Sequence, residues 1–220
     1  MERWATFDCY GTLIDWNAGI GAQLERVLGG SRDELLSRYH EVEPLVQSAR
    51  PGASYREVMA AVLAELAAEQ VVDLPESERD ALGASLPEWP AFADVRAGLE
   101  ECKRRGWKLA ALTNSDRDLI EASAKVIGVP FDALVVASDI GSYKPAHRHW
   151  EAFLETTGAD PAGHVHVAQS QFHDIVPATE LGIPTVWINR LGEEPVQLPT
   201  RELPDVGGLP DTLDDLVARR

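Results

Sequence analysis

The chain is poor in cysteine, with only Cys9 and Cys102 among 220 residues. Two thiols far apart exclude a disulfide scaffold and a cysteine-held metal site. Bases are scarce too: 20 Lys and Arg face 36 Asp and Glu, and the formal net charge is −16. That field disfavours nucleic acid and anionic membrane surfaces as partners, and an anionic substrate needs a locally basic pocket to overcome it. No apolar run approaches the roughly 18 residues of a membrane span. The first 15 residues lack a basic start followed by a long apolar stretch, so no signal peptide is read and the expected setting is the reducing cytoplasm. Repeats and low-complexity blocks are also missing. What is present is 45% hydrophobic content, enough for one domain, or one domain carrying an insert.

The patterning divides the chain. "WATFDCY" reads as a short strand running into a Gly-Thr turn. From about residue 17 to 88 the pattern is helical. "AGIGAQLERVL", "SRDELLSRYHEVEPLVQ" and "SYREVMAAVLAELAAE" each space apolar residues by three and four. Ser31 and Ser54 are placed to cap the second and third of these, with Glu34 and Glu57 as capping-box partners. A further helix is expected near Pro75. After "PEWPAF" the character changes. "KLAALTNSD", "ALVVASD", "HVHVAQS" and "PTVWIN" are short and nearly all apolar, as strands covered on both faces are. Helical segments separate them. The alternation predicts an α/β fold: a Rossmann-like parallel sheet from residues 1–15 and 90–220, with a helical cap, residues 16–89, inserted after the first strand. The tail from Gly192 is rich in Pro and Glu and holds one late helix.

Polar residues fall at one edge of this sheet. Asp8, Thr113 with Asn114, Lys144 and Asp174 all lie at or just past strand carboxyl ends. In an open parallel sheet that edge forms the ligand crevice. Taken singly, each has an ordinary explanation: acids cap helices, and a lysine before a proline is a solvated loop residue. Four of them alternating with strands point to a site. A lysine between two carboxylates keeps its charge and holds at least one of them ionised. An ionised, oriented aspartate is a usable nucleophile.

Four motifs in order, Asp8 with "YGTL", "LTNS", "YKP" and Asp174 in "HDIVPATELGIPTVWINR", resemble those of the haloacid dehalogenase superfamily over nearly the whole chain. The resemblance implies a Rossmann-like core and an aspartate nucleophile. Most members are Mg-dependent phosphatases, with a second Asp two residues after the first. Here Tyr10 holds that position, and a phenol with a reference pKa of about 10 is a poor general acid and a good apolar wall. In the fourth motif, "AQSQFHD", Gln169 stands where phosphatases resemble "GDxxxxD". Mg prefers carboxylate and water oxygens, so no metal and no cofactor are expected.

The chain resembles the metal-independent L-2-haloacid dehalogenases more closely, sharing "YGTL" and "PTVWINR". That resemblance implies a small haloacid substrate, attack of Asp8 on C2, and hydrolysis of the resulting ester by water that Asp174 positions or deprotonates. It implies that Arg38, in "LLSRYHEVE", receives the departing halide, although a surface arginine is the other reading of that stretch. Lys144 would keep Asp8 ionised. Thr12, Thr113 and Asn114 would hold the substrate or Asp8 carboxylate. Tyr10, Val42, Tyr55 and Trp150 would wall the halogen side. Cys9 would open a little room, while Gln169 and Gln171 would narrow the pocket toward haloacetate-sized acids. The histidines at 147, 149, 164, 166 and 173 lack metal-ligand spacing of the HExxH kind, and strand alternation accounts for His164 and His166. Two rival readings stay open: an Mg-dependent phosphatase with an atypical site, and a non-catalytic binding member. Dimerisation is common among the resembled enzymes, but no interface is legible in this sequence.

Overall fold

The computed structural model describes residues 2–50 and 52–218. Six strands form one sheet: β1 (Arg3–Phe7), β2 (Trp107–Thr113), β3 (Ala133–Val136), β4 (His164–Ala168), β5 (Thr185–Ile188) and β6 (Arg201–Leu203). Their order is β3-β2-β1-β4-β5-β6, and every pairing is parallel. β1 is therefore central. The chain builds outward from it to β3, then returns to add β4 on its other side. That reversal is the topological switch point, where a crevice opens beyond the strand carboxyl ends. Phe7 pairs with Ala111 on one flank and Val167 on the other, so the three central strands end nearly level.

The sheet is buried on both faces, as its apolar runs require. Ala5, Phe7, Leu109, Ala111, Val165 and Val167 pack into the larger core. Trp4, Ala110, Leu112 and Val135 alternate with them and pack against Trp150 and Phe153 on the other side. The covering helices include α5 (Val95–Arg104), α6 (Arg117–Ile127), the short α7 (Ala137–Ile140), α8 (Arg148–Thr157), α9 (Val176–Glu180) and α10 (Leu209–Leu216), all numbered after the four that follow β1. β6 was not foreseen in the tail. It is three residues long and largely exposed, too short to show a period.

Between β1 and α5 the chain is helical: α1 (Trp16–Leu28), α2 (Arg32–Ala49), α3 (Tyr55–Glu69) and α4 (Ala81–Ser85). The helix expected near Pro75 is only a 3-10 turn, Glu76–Glu78, followed by α4. Ser54 forms the expected capping box with Glu57, whereas the Ser31 side chain makes no cap bond. This insertion leaves and rejoins the sheet at one place. Ile14 bridges Ala91, and Asp15 N–H donates to Pro90 O at 2.8 Å. Two further ties hold it over the crevice. Asp116 accepts from the N–H groups of Tyr55 and Arg56, each at 2.9 Å, and Tyr143 Oη donates to Ala53 O at 2.7 Å. Among the described residues no helix is long and apolar enough to cross a membrane.

Candidate active site

Asp8 follows β1 directly and is mostly buried. Its carboxylate is held from both sides. Thr12 Oγ1 donates to Oδ2 at 2.7 Å, and Lys144 Nζ donates to Oδ1 at 2.9 Å. Thr12 reaches back because Gly11 turns the chain with φ +88°, a left-handed conformation that favours glycine. Thr12 Oγ1 also accepts from Gln169 N–H at 2.9 Å, which links the loops after β1 and β4.

Lys144 is the centre of the arrangement. It is 2% exposed, and its three protons meet three acceptors: Asp8 Oδ1, Asp174 Oδ1 at 2.7 Å and Leu112 O at 2.8 Å. Burial alone would lower its pKa, but Asp174 and Asp8 outweigh burial and raise it above the ordinary lysine value. Burial likewise pushes Asp174 up, while Lys144 and then His166 overcome this and hold it well below the usual carboxylate range. Asp174 comes from a short π-helical turn, Gln171–Ile175, which aims its carboxylate back under the sheet edge. Its Oδ1 accepts from both Lys144 and His166 Nε2, the latter at 2.9 Å. Its Oδ2 is buried with no partner among the described residues.

Beyond these groups lies a cleft of about 840 Å3, lined by Asp8, Tyr10, Thr113, Asn114, Lys144, Gln169, Gln171 and Asp174 from the core and by Trp16, His40, Glu43, Gln47 and Tyr55 from the inserted helices. Tyr10 is a wall. Its ring stacks on Tyr55 at 6.3 Å and meets Trp89 edge-on, its hydroxyl contacts Ser123 Oγ at 3.0 Å, and burial raises its pKa further. Tyr55 Oη accepts from Trp16 Nε1 at 3.0 Å. Thr113 Oγ1 is buried and unpartnered among the described residues.

Residues 3–168 match the family described as haloacid dehalogenase-like hydrolase. The chain belongs to that family. It is 30% identical over 205 residues to the (S)-2-haloacid dehalogenase of Pseudomonas sp. (strain YL), covering 90% of this chain and 88% of that protein. It is 26% identical to haloacetate dehalogenase H-2 of Moraxella sp. (strain B), covering 84% of this chain and 85% of that one. The structure of the L-2-haloacid dehalogenase from Xanthobacter autotrophicus with chloropropionic acid covalently bound shares the fold, with a TM-score of 0.86 at 20% identity, over 97% of this chain and 98% of that one.

Within this haloacid dehalogenase-like hydrolase, four residues expected at the site lie elsewhere. Arg38 is on the outer side of α2, where its guanidinium pairs with Glu69 and Glu41, each at 2.6 Å. Helix phase explains this: Leu35, Tyr39 and Val42 face the interior, and Arg38 falls outside that stripe. Val42 is core packing for the same reason. Cys9 is fully buried and points away from the cleft. Trp150 lies beneath the sheet and meets His166 edge-on at 5.2 Å. Asn114 lines the cleft, but its amide is occupied by Lys144: Nδ2 donates to Lys144 O at 2.9 Å and Oδ1 accepts from Lys144 N–H at 2.6 Å. It positions the lysine. Gln169 and Gln171 turn toward the 193–197 segment, bonding Glu193 Oε2 at 3.2 Å and Gln197 N–H at 3.0 Å. Replacing Arg38 by Ala is therefore expected to leave turnover within about twofold of wild type, because exposed ion pairs contribute little. Steady-state kinetics checks this, and a large fall in kcat would return Arg38 to the site.

Three residues in or around the cleft were not anticipated. Asp116 ends the motif "LTNSD" and clamps α3 from outside it. Glu43 lies one turn beyond the Arg38–Tyr39 pair, at a spacing the sequence shows but whose helix phase it does not. Arg190, last in "PTVWINR", holds the loop after β1. Its guanidinium donates to Thr12 O at 2.9 and 3.1 Å and pairs with Asp94 at 2.9 Å, over the Phe92 ring.

Proposed function

We propose that this hydrolase removes halide from small 2-haloalkanoic acids, of the haloacetate or 2-halopropionate type, through an ester on Asp8 and without a metal. The observation that carries the reading is the Lys144 ammonium bridging Asp8 and Asp174, beside a tyrosine in place of a second acid. Relatives named as (S)-2-haloacid and haloacetate dehalogenases support it.

In the first step an Asp8 carboxylate oxygen attacks C2. The carbon–halogen bond breaks and the halide leaves with its electron pair, giving an alkyl ester. Lys144 and Thr12 fix the attacking group in advance. In the second step water adds to the ester carbonyl carbon and passes a proton to Asp174 Oδ2. Collapse expels the 2-hydroxyacid alkoxide, which takes that proton back. The Asp8 carboxyl then releases its own proton, so one halide and one proton form per turnover. The helical insert would act as a cap that keeps bulk water from the first step.

The residues present do not suit Mg. Among the described residues no group of three His, Cys, Asp or Glu side chains is placed to hold a metal. The ammonium already lies between the two carboxylates that would have to share one. No step is routed through a metal. Halide release from a panel of 2-haloacids, with and without chelator, tests the proposal. Release that persists in chelator is expected; chelator-sensitive hydrolysis of an aryl phosphate, with no halide release, overturns it.

The cleft is unwelcoming to anions. Its carboxyl groups are Asp8, Asp15, Glu43, Asp174, Glu193 and Glu194, and its two strong cations, Lys144 and Arg190, are both paired. Burial pushes the Glu43 carboxyl up to about 7, an effect that its bond with Tyr55 only partly offsets. Below that pH Glu43 is neutral; above it, its charge repels a haloacid carboxylate. KM for chloroacetate should rise roughly three- to tenfold between pH 6 and 8.5, the size of one screened like-charge contact. In Glu43→Gln the rise should be absent, as KM measured across that range will show.

A further inference from the structure

β4 carries two histidines, His164 and His166, on one face of the middle of a sheet. Both are fully or almost fully buried, against Phe153 and Trp150 respectively. Nothing in the proposed chemistry uses them, yet they form a continuous hydrogen-bonded chain. Thr6 Oγ1 lies 2.7 Å from His164 Nε2 and 2.8 Å from His166 Nδ1, and His166 Nε2 lies 2.9 Å from Asp174 Oδ1.

The direction of this chain follows from its ends. Asp174 is ionised and only accepts, so His166 Nε2 carries a proton. Thr6 has one proton to give. If it gives that proton to His166 Nδ1, His164 Nε2–H donates to Thr6, and His164 Nδ1 is left as a bare acceptor. If the order is reversed, His164 Nδ1 must carry a buried N–H. That atom has no partner among the described residues. An orphaned donor is the rarer arrangement. The first order leaves no orphaned donor: His166 Nε2 donates to Asp174, and His166 Nδ1 accepts from Thr6, whose other acceptor, Val165 O, lies farther off at 3.4 Å; burial lowers the His164 pKa to about 3, so that ring is neutral.

We propose that His166 is a positioning residue for the hydrolytic half of the reaction: it donates to Asp174 Oδ1 and so presents Oδ2 to the water that cleaves the Asp8 ester, with Thr6 and His164 fixing its tautomer. The inference rests on the ester reading. Lys144 and His166 together occupy Oδ1, so the basicity of Asp174 is directed to the one oxygen left without a donor. Lys144 serves both carboxylates, whereas His166 contacts Asp174 and not Asp8. Its loss should therefore separate the two half-reactions.

The test compares His166→Phe, which removes the donor, with His166→Gln, whose amide N–H can reach the Nε2 position, and with Thr6→Val, which frees the tautomer without opening a large hole. Rapid-quench halide release from bromoacetate reads ester formation, steady-state kcat reads hydrolysis, and the intact mass reads trapped ester. In His166→Phe the halide burst should stay within about threefold of wild type, kcat should fall at least about thirtyfold, and the ester should accumulate toward one per chain. His166→Gln should recover part of kcat, and Thr6→Val should fall between. A burst and kcat that drop together, or neither dropping, overturns the proposal. Nitrogen-15 NMR of the wild type gives an arm independent of turnover. A proton on His166 Nε2 at pH 7.5 is expected, and a ring protonated on Nδ1 alone overturns the proposal. If wild-type turnovers in heavy-oxygen water leave Asp8 unlabelled, the ester reading fails, and the NMR result alone decides whether the His166 assignment stands.

Discussion

Replacing Asp8 by Asn removes the only carboxylate at the end of β1, and halide release should fall at least about 10^4-fold. The amide oxygen can still accept from Lys144 while its NH2 donates to Thr12 Oγ1, whose hydroxyl can turn, so the loop keeps its shape and the thermal midpoint should move by only a few degrees. What is lost, on the mechanism proposed above, is the nucleophile. Knocking out a nucleophile in covalent catalysis typically costs four to six orders of magnitude. Halide electrode assays and differential scanning calorimetry on the same preparation separate the two effects. Multiple turnovers of the wild type in heavy-oxygen water should place the label in the Asp8 side chain, since water attacks the carbonyl carbon and not C2. An Asp8→Asn chain that turns over at a wild-type rate, or a wild-type chain that stays unlabelled, would falsify the assignment.

Lys144→Met should be the most damaging single change to both stability and activity. Methionine matches the stem in length but brings no charge and no donor. Two carboxylates and the Leu112 carbonyl would then face one another without a counter-charge. Breaking a buried ion pair by removing one partner costs about 3–5 kcal/mol, which for a chain of this size is roughly 6–20 °C in midpoint. The pH dependence carries a sign. In the wild type the depressed Asp174 carboxyl contributes stability above its unfolded value near 4, and this is lost as pH falls toward its folded value. In the variant the unpaired acids protonate more readily. The stability deficit should therefore be largest near pH 8 and shrink toward pH 4.5. A deficit independent of pH would mean that the lysine contributes packing and not charge.

The sheet was readable because its strands are short apolar runs separated by helices of clear period, and because Asp8, Lys144 and Asp174 sit where strands end. Those three do meet, within hydrogen-bond distance of a single ammonium. What failed was the phase of the inserted helices. α2 carries charged residues on several sides, so the sequence offered Arg38 a place in the cleft that Glu43 and His40 in fact take. Side-chain direction misled at Cys9 and Trp150 as well, since a residue beside a motif need not point where the motif points. The histidines of β4 were set down to strand alternation. The signal that could have distinguished them is physical: two polar side chains on one face of a run otherwise buried on both sides must find partners, and here they find Thr6 and Asp174. β6 left no pattern at all in its three residues.

The surplus of carboxyl groups around the crevice has a kinetic consequence. On the proposed function, a haloacid anion approaching it climbs an electrostatic hill before reaching Asp8. Added salt shortens the reach of that repulsion, with a Debye length of about 10 Å at 0.1 M. Capture of substrate should thus quicken as ionic strength rises, the reverse of enzymes that draw charged reactants inward.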